Sequence, residues 1–196
     1  MTAWLVVGLG NPGPRYAATR HNIGARVVER VAERLDTRLR KVRFLPIEAG
    51  EATVDGERVL LARPQTFMNV SGPPVASLAK RRGIDADHVV ACHDEIDLAL
   101  GALKVKRGGS TAGHRGLDSL AGALRSLDFH RVRLGVGRPP GRRDPADHVL
   151  DSFTRTERED VEVLIDDGAD AVLTLVRKGL AAAQDRHNRG APRELR

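Results

Sequence analysis

The chain has 196 residues, of which 41% are hydrophobic and 30% are charged. This length suits one well-packed globular domain. The first apolar run is too short for a signal peptide or a membrane span and breaks at once into Gly and Pro, so we expect a soluble cytoplasmic protein. The one cysteine, Cys92, excludes an internal disulfide framework and most cysteine-based metal sites.

The formal net charge of +6 is unevenly distributed. Residues 1–150 hold 24 Lys and Arg against 16 Asp and Glu, whereas residues 151–196 hold 8 against 10. A basic body favours an anionic partner, nucleic acid first among them. The alternative is an arginine-rich solvated surface without a partner. Only six residues are Trp, Tyr or Phe, which disfavours a base-stacking platform.

Hydrophobic periodicity predicts strands that alternate with helices. The predicted strands are residues 4–7, a hairpin within 42–63 that turns at Asp55-Gly56, and residues 88–93, 103–106 and 132–136. The predicted helices are residues 23–35, a helix capped by Ser71 that ends at Gly83, one beginning near Leu117, and residues 157–178. This order predicts a single α/β domain over residues 1–196, with a mostly parallel sheet to which the hairpin adds an antiparallel part.

The first strand leads into the glycine-rich segment G-L-G-N-P-G, residues 8–13. It matches the dinucleotide fingerprint literally, but Pro14 follows it and helical periodicity begins only at Ile23. In that fingerprint the last glycine opens the helix that binds the pyrophosphate. A nucleotide-dependent oxidoreductase is therefore disfavoured. A glycine-lined loop at the carboxyl end of a strand is still where open α/β sheets bind ligands, so we place the active site here.

His21 lies where this loop meets the first helix, and Asp94 ends a different predicted strand. Both belong at one edge of the sheet, so the carboxylate can hold one ring nitrogen while the other serves as a general base. Without a Ser or Cys partner, such a pair is typical of water activation rather than covalent catalysis.

Other candidate motifs are weaker. Cys92 and His93 are adjacent on a strand and point to opposite faces, so we expect Cys92 to be a buried hydrophobe rather than a nucleophile. No recognisable metal-ligand spacing occurs. The loop 108–116 is either a phosphate cradle or a mobile lid, and the preceding Lys104, Lys106 and Arg107 favour an anionic substrate.

Five stretches together resemble the bacterial-type peptidyl-tRNA hydrolases. They occur in family order within residues 4–139, and they are G-L-G-N-P-G-P-R-Y-A-A-T-R-H-N-I-G, P-Q-T-F-M-N-V-S-G, H-D-E-I-D-L-A-L-G, G-H-R-G-L and F-H-R-V-R-L-G-V-G-R-P. The resemblance implies a twisted mixed sheet and a monomer that acts without metal or cofactor. It also implies hydrolysis of the ester that joins a peptide to the 3′ ribose of tRNA, which recycles the tRNA.

The resemblance also implies roles for individual residues. His21 is similar to the base that activates water and Asp94 to its partner carboxylate, while Asn11 resembles the residue that distinguishes peptidyl-tRNA from unblocked aminoacyl-tRNA. Lys106 and Arg133 resemble a clamp for the tRNA 5′ phosphate. The remaining substrate-binding positions are Tyr16, Phe67, Met68, Asn69, His114 and Arg115.

Arg115 departs from the family pattern, which usually has asparagine in G-H-N-G-L. Asparagine both donates and accepts hydrogen bonds, whereas arginine only donates. A cation near His21 also disfavours the imidazolium that forms during catalysis. The competing interpretation is therefore a catalytically weak or inactive RNA-binding paralogue. The presence of His21, Asn11 and Asp94 together favours the enzyme.

Overall fold

The computed structural model describes residues 3–188. The strands are β1 (Ala3–Gly8), β2 (Arg40–Lys41), β3 (Ile47–Val54), β4 (Glu57–Pro64), β5 (Val89–Glu95), β6 (Leu103–Arg107) and β7 (His130–Gly135). The α-helices are α1 (Ile23–Arg34), α2 (Gly72–Arg82), α3 (Arg115–Leu124), α4 (Pro145–Val149) and α5 (Arg158–His187). Three short 3-10 turns lie at Arg20–Asn22, Met68–Val70 and Ala86–His88.

All seven strands form one mixed sheet in the order β2-β3-β4-β1-β5-β7-β6. The central strands β4, β1, β5 and β7 are parallel to one another. The hairpin strands β2 and β3 are antiparallel at one edge, and β6 is antiparallel to β7 at the other. The predicted α/β class is therefore confirmed, and antiparallel pairing also occurs outside the hairpin.

Helices cover both faces of the sheet. The apolar stripes of α1 and α5 pack on one face and those of α2 and α3 on the other, which buries the central strands on both sides. On their outer surfaces α1 and α5 are joined by ion pairs between residues spaced four apart. These pairs connect Arg26, Arg30 and Arg34 to Glu162, Asp166 and Asp170.

Close packing at Gly24 determines where α1 begins. A Cβ atom at this position would lie 2.0 Å from the carbonyl oxygen of Cys92. Only glycine therefore allows the first turn of α1 to rest directly on β5. This contact brings the turn that contains His21 to the carboxyl end of β5, where Asp94 lies.

Several predicted boundaries change in the structure. The Ser71 hydroxyl donates to the carbonyl of Met68 instead of capping α2, and the Ser119 hydroxyl accepts the Gly72 N–H, because α3 packs across the start of α2. β5 extends to Glu95, two residues past the predicted strand end at residue 93, and so includes Asp94. Helix α5 continues past the predicted end at residue 178, with a non-helical residue at Gly179. Residues 189–196 lie outside the described residues.

Candidate active site

A cleft of about 570 Å³ opens at the carboxyl ends of β1 and β5. Every site residue predicted from the sequence lines this cleft, except Lys106 and Arg133. The predicted lining residues are Asn11, Tyr16, His21, Phe67, Met68, Asn69, Asp94, His114 and Arg115. The opposite wall includes α4 and Leu150, which sequence analysis missed although Asp144-Pro145 is a recognisable helix start.

His21 and Asp94 are directly hydrogen-bonded. Nδ1 of His21 lies 2.9 Å from both carboxylate oxygens of Asp94, and Asp94 is only 3% exposed. An ionised carboxylate only accepts hydrogen bonds, so Nδ1 carries the proton and Nε2 keeps a free lone pair. That lone pair is what a general base requires.

Asp94 also accepts a hydrogen bond from His114. Nδ1 of His114 accepts the backbone N–H groups of Gly116 and Leu117 at 3.2 and 3.3 Å, which caps α3. The proton must therefore be on Nε2, which lies 2.8 Å from Oδ1 of Asp94. Sequence analysis placed His114 among the substrate-binding residues and had no signal for this contact, because the cap depends on where α3 begins.

The two histidines determine the charge of Asp94. Burial by itself raises the pKa of this carboxyl group, but the charges and hydrogen bonds of His21 and His114 outweigh burial and hold the pKa well below its usual range. Asp94 is therefore ionised at neutral pH and accepts a hydrogen bond from each imidazole ring.

His21, Asp94 and His114 also lie close enough together to be considered as a metal site. Nδ1 of His114 already accepts two backbone N–H groups. Metal ligation through its Nε2 would then require an imidazolate, which is strongly disfavoured in a neutral ring. The donor set therefore fits a hydrogen-bonded network better than a metal centre.

The orientation of the Asn11 side chain is determined by its neighbours. Its Oδ1 accepts the Met68 N–H at 2.8 Å, and its backbone exchanges two hydrogen bonds with the side chain of Asn22. Within residues 3–188, its Nδ2 group has no hydrogen-bond acceptor. Asn11 therefore presents an amide donor to the cleft.

The segment that contains His21 is anchored by Arg20, a residue that sequence analysis did not single out. Arg20 is 5% exposed and donates to both carboxylate oxygens of Glu157 at 2.8 and 2.7 Å, and to the Ser152 carbonyl. These partners are more than 130 positions away in the sequence. The start of α5 thus stabilises the position of the turn that contains His21.

The aromatic wall of the cleft is formed by Tyr16 and Phe67. Their ring centroids are 6.2 Å apart in an edge-to-face arrangement, and Phe67 is 56% exposed. Met68 is buried beneath this wall, and Asn69 is exposed beside it. Because Phe67 is exposed and Tyr16 is half-buried, this pair is suited to contacts with bases or apolar side chains.

A family model described as peptidyl-tRNA hydrolase matches residues 5–194. The chain belongs to the peptidyl-tRNA hydrolase family. It is 50% identical over 187 residues to a peptidyl-tRNA hydrolase of Arthrobacter sp. (strain FB24), covering 94% of this chain and 96% of the relative. A relative from Nocardia farcinica is 48% identical, with 92% and 94% covered.

The fold agrees with a solved member of the family. The crystal structure of peptidyl-tRNA hydrolase from Acinetobacter baumannii superposes with a TM-score of 0.89 at 33% identity and covers 95% of this chain and 94% of that chain. Within residues 3–188, no helix is both long and apolar enough to span a bilayer.

The two predicted residues outside the cleft lie on the β6–β7 edge of this peptidyl-tRNA hydrolase fold. Lys106 is opposite Arg131, and Arg133 is opposite Lys104, so the four cations share one face of the sheet. Arg133 donates to Oε2 of Glu95 at 3.0 Å. Burial, followed by repulsion from Arg131 and Arg133, lowers the pKa of Lys106.

Arg131 is a further cation that sequence analysis missed, although its spacing from Arg133 predicts the same face. It is 1% exposed and donates to the carbonyl groups of Gly109 and Ser110 at 2.7 and 2.6 Å. Its guanidinium therefore holds the loop that leads to His114.

Cys92 and His93 are buried as structural residues. Cys92 is fully buried, which raises the pKa of its thiol and confirms the prediction that it is not a nucleophile. Nδ1 of His93 donates to the Asp94 carbonyl at 2.7 Å, and burial lowers the pKa of His93 to about 3. His93 is therefore neutral and supports the backbone at Asp94.

Arg115 is the first residue of α3, where its exposed side chain lines the cleft. No hydrogen bond or ion pair joins this side chain to another residue of the 3–188 range. Arg115 therefore contributes a hydrated cation to the position that holds asparagine in the usual family pattern.

Proposed function

We propose that this chain hydrolyses the ester bond between the peptide and the 3′ ribose of peptidyl-tRNA and releases tRNA for reuse in translation. The observation that carries the proposal is the His21–Asp94 pair, which leaves Nε2 of His21 free to accept a proton inside a cleft of the family fold. The enzyme acts in the cytoplasm, as a monomer, without a metal ion or cofactor.

In the proposed reaction, Nε2 of His21 takes a proton from a water molecule, and the hydroxide attacks the ester carbonyl carbon. The tetrahedral intermediate collapses, the bond to the ribose oxygen breaks, and the proton on His21 passes to that oxygen. Asp94 stabilises the imidazolium formed between these steps. Peptide acid and free tRNA are the products.

The residues around His21 bind different parts of the substrate. The Nδ2 group of Asn11 donates to the peptide carbonyl next to the scissile ester, a contact that the ammonium of an unblocked amino acid cannot offer in the same place. Tyr16, Phe67, Met68 and Asn69 bind the 3′ end and the peptide, with His114 and Arg115 on the facing wall.

The β6–β7 edge binds the 5′ phosphate of the tRNA. Lys106 and Arg133 supply the contacts, and an incoming phosphate relieves the repulsion that lowers the pKa of Lys106. Because Arg133 is already paired with Glu95, the phosphate competes with that carboxylate.

The test is the release of N-acetyl-amino acid from N-acetyl-aminoacyl-tRNA in the presence of EDTA. We expect turnover by the wild type and a loss of about 10²- to 10⁴-fold in kcat for His21→Ala, the usual contribution of a general base. His88→Ala is a matched control, because His88 bonds to Asp87 at the opposite end of β5. Unblocked aminoacyl-tRNA is the substrate control.

Absence of turnover by the wild type, with tRNA still bound, would contradict the proposal and favour the RNA-binding paralogue. Equal losses in His21→Ala and His88→Ala would contradict the role of His21. Loss of activity in EDTA that is restored by a divalent metal would contradict metal independence.

A further inference from the structure

The loop between β2 and β3 presents an aromatic ring to solvent. Phe44 is 79% exposed, and its backbone φ is +63°. Bulky side chains rarely adopt this left-handed conformation, because the Cβ atom then crowds the following carbonyl oxygen. The fold therefore keeps an apolar ring in water and a strained backbone at the same residue, and backbone strain of this kind is concentrated at functional positions.

The loop around Phe44 is held in place on both sides. The Val42 N–H bonds to the Ile47 carbonyl at 2.9 Å, and the Leu45 N–H to the Val42 carbonyl at 3.2 Å. Arg81, near the end of α2, donates to the Arg43 carbonyl at 3.1 Å. Val42 and Leu45 pack into the core. The turn that exposes the Phe44 ring is therefore held in place by hydrogen bonds on both sides.

Positive charge surrounds the ring. The Arg43 guanidinium lies 4.6 Å from the centre of the Phe44 ring, and Arg81 on α2 is exposed beside the loop. Arg40 and Lys41 are exposed on the adjoining edge strand β2, one on each face of the sheet. Within the described part of the chain, none of these four cations has a carboxylate within 4.0 Å. The arginines on the outer surface of α1, by contrast, are all paired with carboxylates of α5.

We propose that this surface, formed by Arg40, Lys41, Arg43, Phe44 and Arg81, is a second contact for the RNA body of the substrate. An unstacked base packs on Phe44, and the cations bind neighbouring phosphates. Aromatic rings flanked by arginine bind single-stranded RNA in this way, and cations that lack a carboxylate partner are complementary to a phosphate backbone. A single ring serves one base, so no stacking platform is required.

The position of this surface fits a substrate whose 3′ end occupies the cleft. The Gln65 N–H bonds to the Pro46 carbonyl at 2.8 Å, which joins the loop to the segment that leads to Phe67 in the cleft wall. β2 and β6 are the two edges of the seven-stranded sheet, so the Phe44 surface and Lys106 are separated by six strand spacings, or about 29 Å. The proposal therefore requires one tRNA molecule to contact both edges of the sheet.

The first experiment measures the binding of fluorescently labelled uncharged tRNA to the full chain. We expect Phe44→Ala to raise Kd about 5- to 10-fold, the lower range for loss of one base stack, and Phe44→Trp to retain wild-type binding. Val163→Ala is the matched control, because Val163 is also exposed but lies on α5, away from both proposed tRNA contacts. Replacing Arg40 and Lys41 by Gln should reduce the salt slope of binding by about 1 to 2.

The second experiment depends on the proposed function and separates the RNA body from the 3′ end. Phe44→Ala should raise KM for N-acetyl-aminoacyl-tRNA without changing kcat, and leave hydrolysis of an N-acetyl-aminoacyl ester on a short CCA oligonucleotide unchanged. An equal effect on both substrates would show that Phe44 acts through the cleft and would overturn the proposal.

Unchanged tRNA affinity in Phe44→Ala would also overturn it. The proposal would also be overturned if the wild type self-associated and Phe44→Ala abolished this self-association while tRNA binding stayed intact. The Phe44 surface would then bind a second copy of the chain. If the wild type hydrolysed neither substrate, the proposed function would fail, while the affinity of uncharged tRNA would still decide whether the Phe44 surface binds RNA.

Discussion

The substitution Asp94→Asn tests whether Asp94 determines which ring nitrogen of His21 carries the proton. Asp94 accepts Nδ1–H of His21 and Nε2–H of His114. His114 cannot move its proton, because its Nδ1 accepts two backbone N–H groups. The single Asn oxygen therefore stays with His114, and the Asn NH₂ group faces His21. His21 must then accept at Nδ1 and carry its proton on Nε2, where it cannot take a proton from water.

The expected loss in kcat is about 10²- to 10⁴-fold, equivalent to roughly 3 to 5.5 kcal/mol of activation free energy. The upper value matches the loss of about 10⁴ when the buried Asp of a serine-protease triad is replaced by Asn. The assay is single-turnover hydrolysis of N-acetyl-aminoacyl-tRNA between pH 5.5 and 9. Because the pKa of Asp94 is held below its usual range, protonation of this carboxylate does not contribute to the wild-type profile there.

Asp87→Asn is the matched control. Asp87 bonds to Nδ1 of His88 at 2.7 Å, which makes a second carboxylate–imidazole pair at the amino end of β5. We expect this variant to retain wild-type kcat. A kcat for Asp94→Asn within about threefold of the wild type, with an unchanged Tm, would refute the inference that Asp94 selects the tautomer of His21.

Three further predictions concern neighbouring residues. Asn11→Asp keeps the oxygen that accepts the Met68 N–H but loses the amide donor. We expect kcat/KM for the blocked substrate to fall about 10- to 100-fold, and the preference for blocked over unblocked aminoacyl-tRNA to decrease. Unchanged selectivity would contradict the role of Asn11. Arg115→Asn should raise kcat/KM if Arg115 impairs water positioning, whereas an unchanged or lower value would give Arg115 its own role. Burial lowers the pKa of His93 to about 3, so between about pH 3 and 6.5 the unfolded chain binds one proton more at this residue than the folded chain does. The free energy of unfolding therefore decreases as the pH is lowered through this window, by up to about 1.4 kcal/mol per pH unit. Thermal unfolding of His93→Asn, which retains a donor for the Asp94 carbonyl, should show a smaller decrease in Tm from pH 6.5 to 4; equal slopes would contradict this.

Most helices and strands are predictable, because the spacing of apolar residues within one segment indicates which of its side chains are buried. The apolar spacing from Ile23 predicts α1 to within one residue, and Gly83 ends α2 as expected. The pairing of His21 with Asp94 is also predictable, since both follow segments whose carboxyl ends meet at one sheet edge. The five family motifs mark the same edge.

The remaining features depend on contacts between segments far apart in the chain. Asp94 accepts hydrogen bonds from both His21 and His114 only because the start of α3 lies beside the end of β5. The hydrogen bond from Arg20 to Glu157 requires α5 to pack against α1. Neither contact leaves a periodic signal, because a hydrogen-bond partner is selected by distance and direction in space.

The sequence by itself therefore determined the α/β class, the sheet edge that holds the cleft and the pairing of His21 with Asp94. Only the tertiary structure decided which nitrogen of His21 is free, which neighbours orient Asn11, and which cations around Phe44 lack a carboxylate partner among residues 3–188. These properties depend on the separation and orientation of individual atoms, which are established when the helices pack on the sheet.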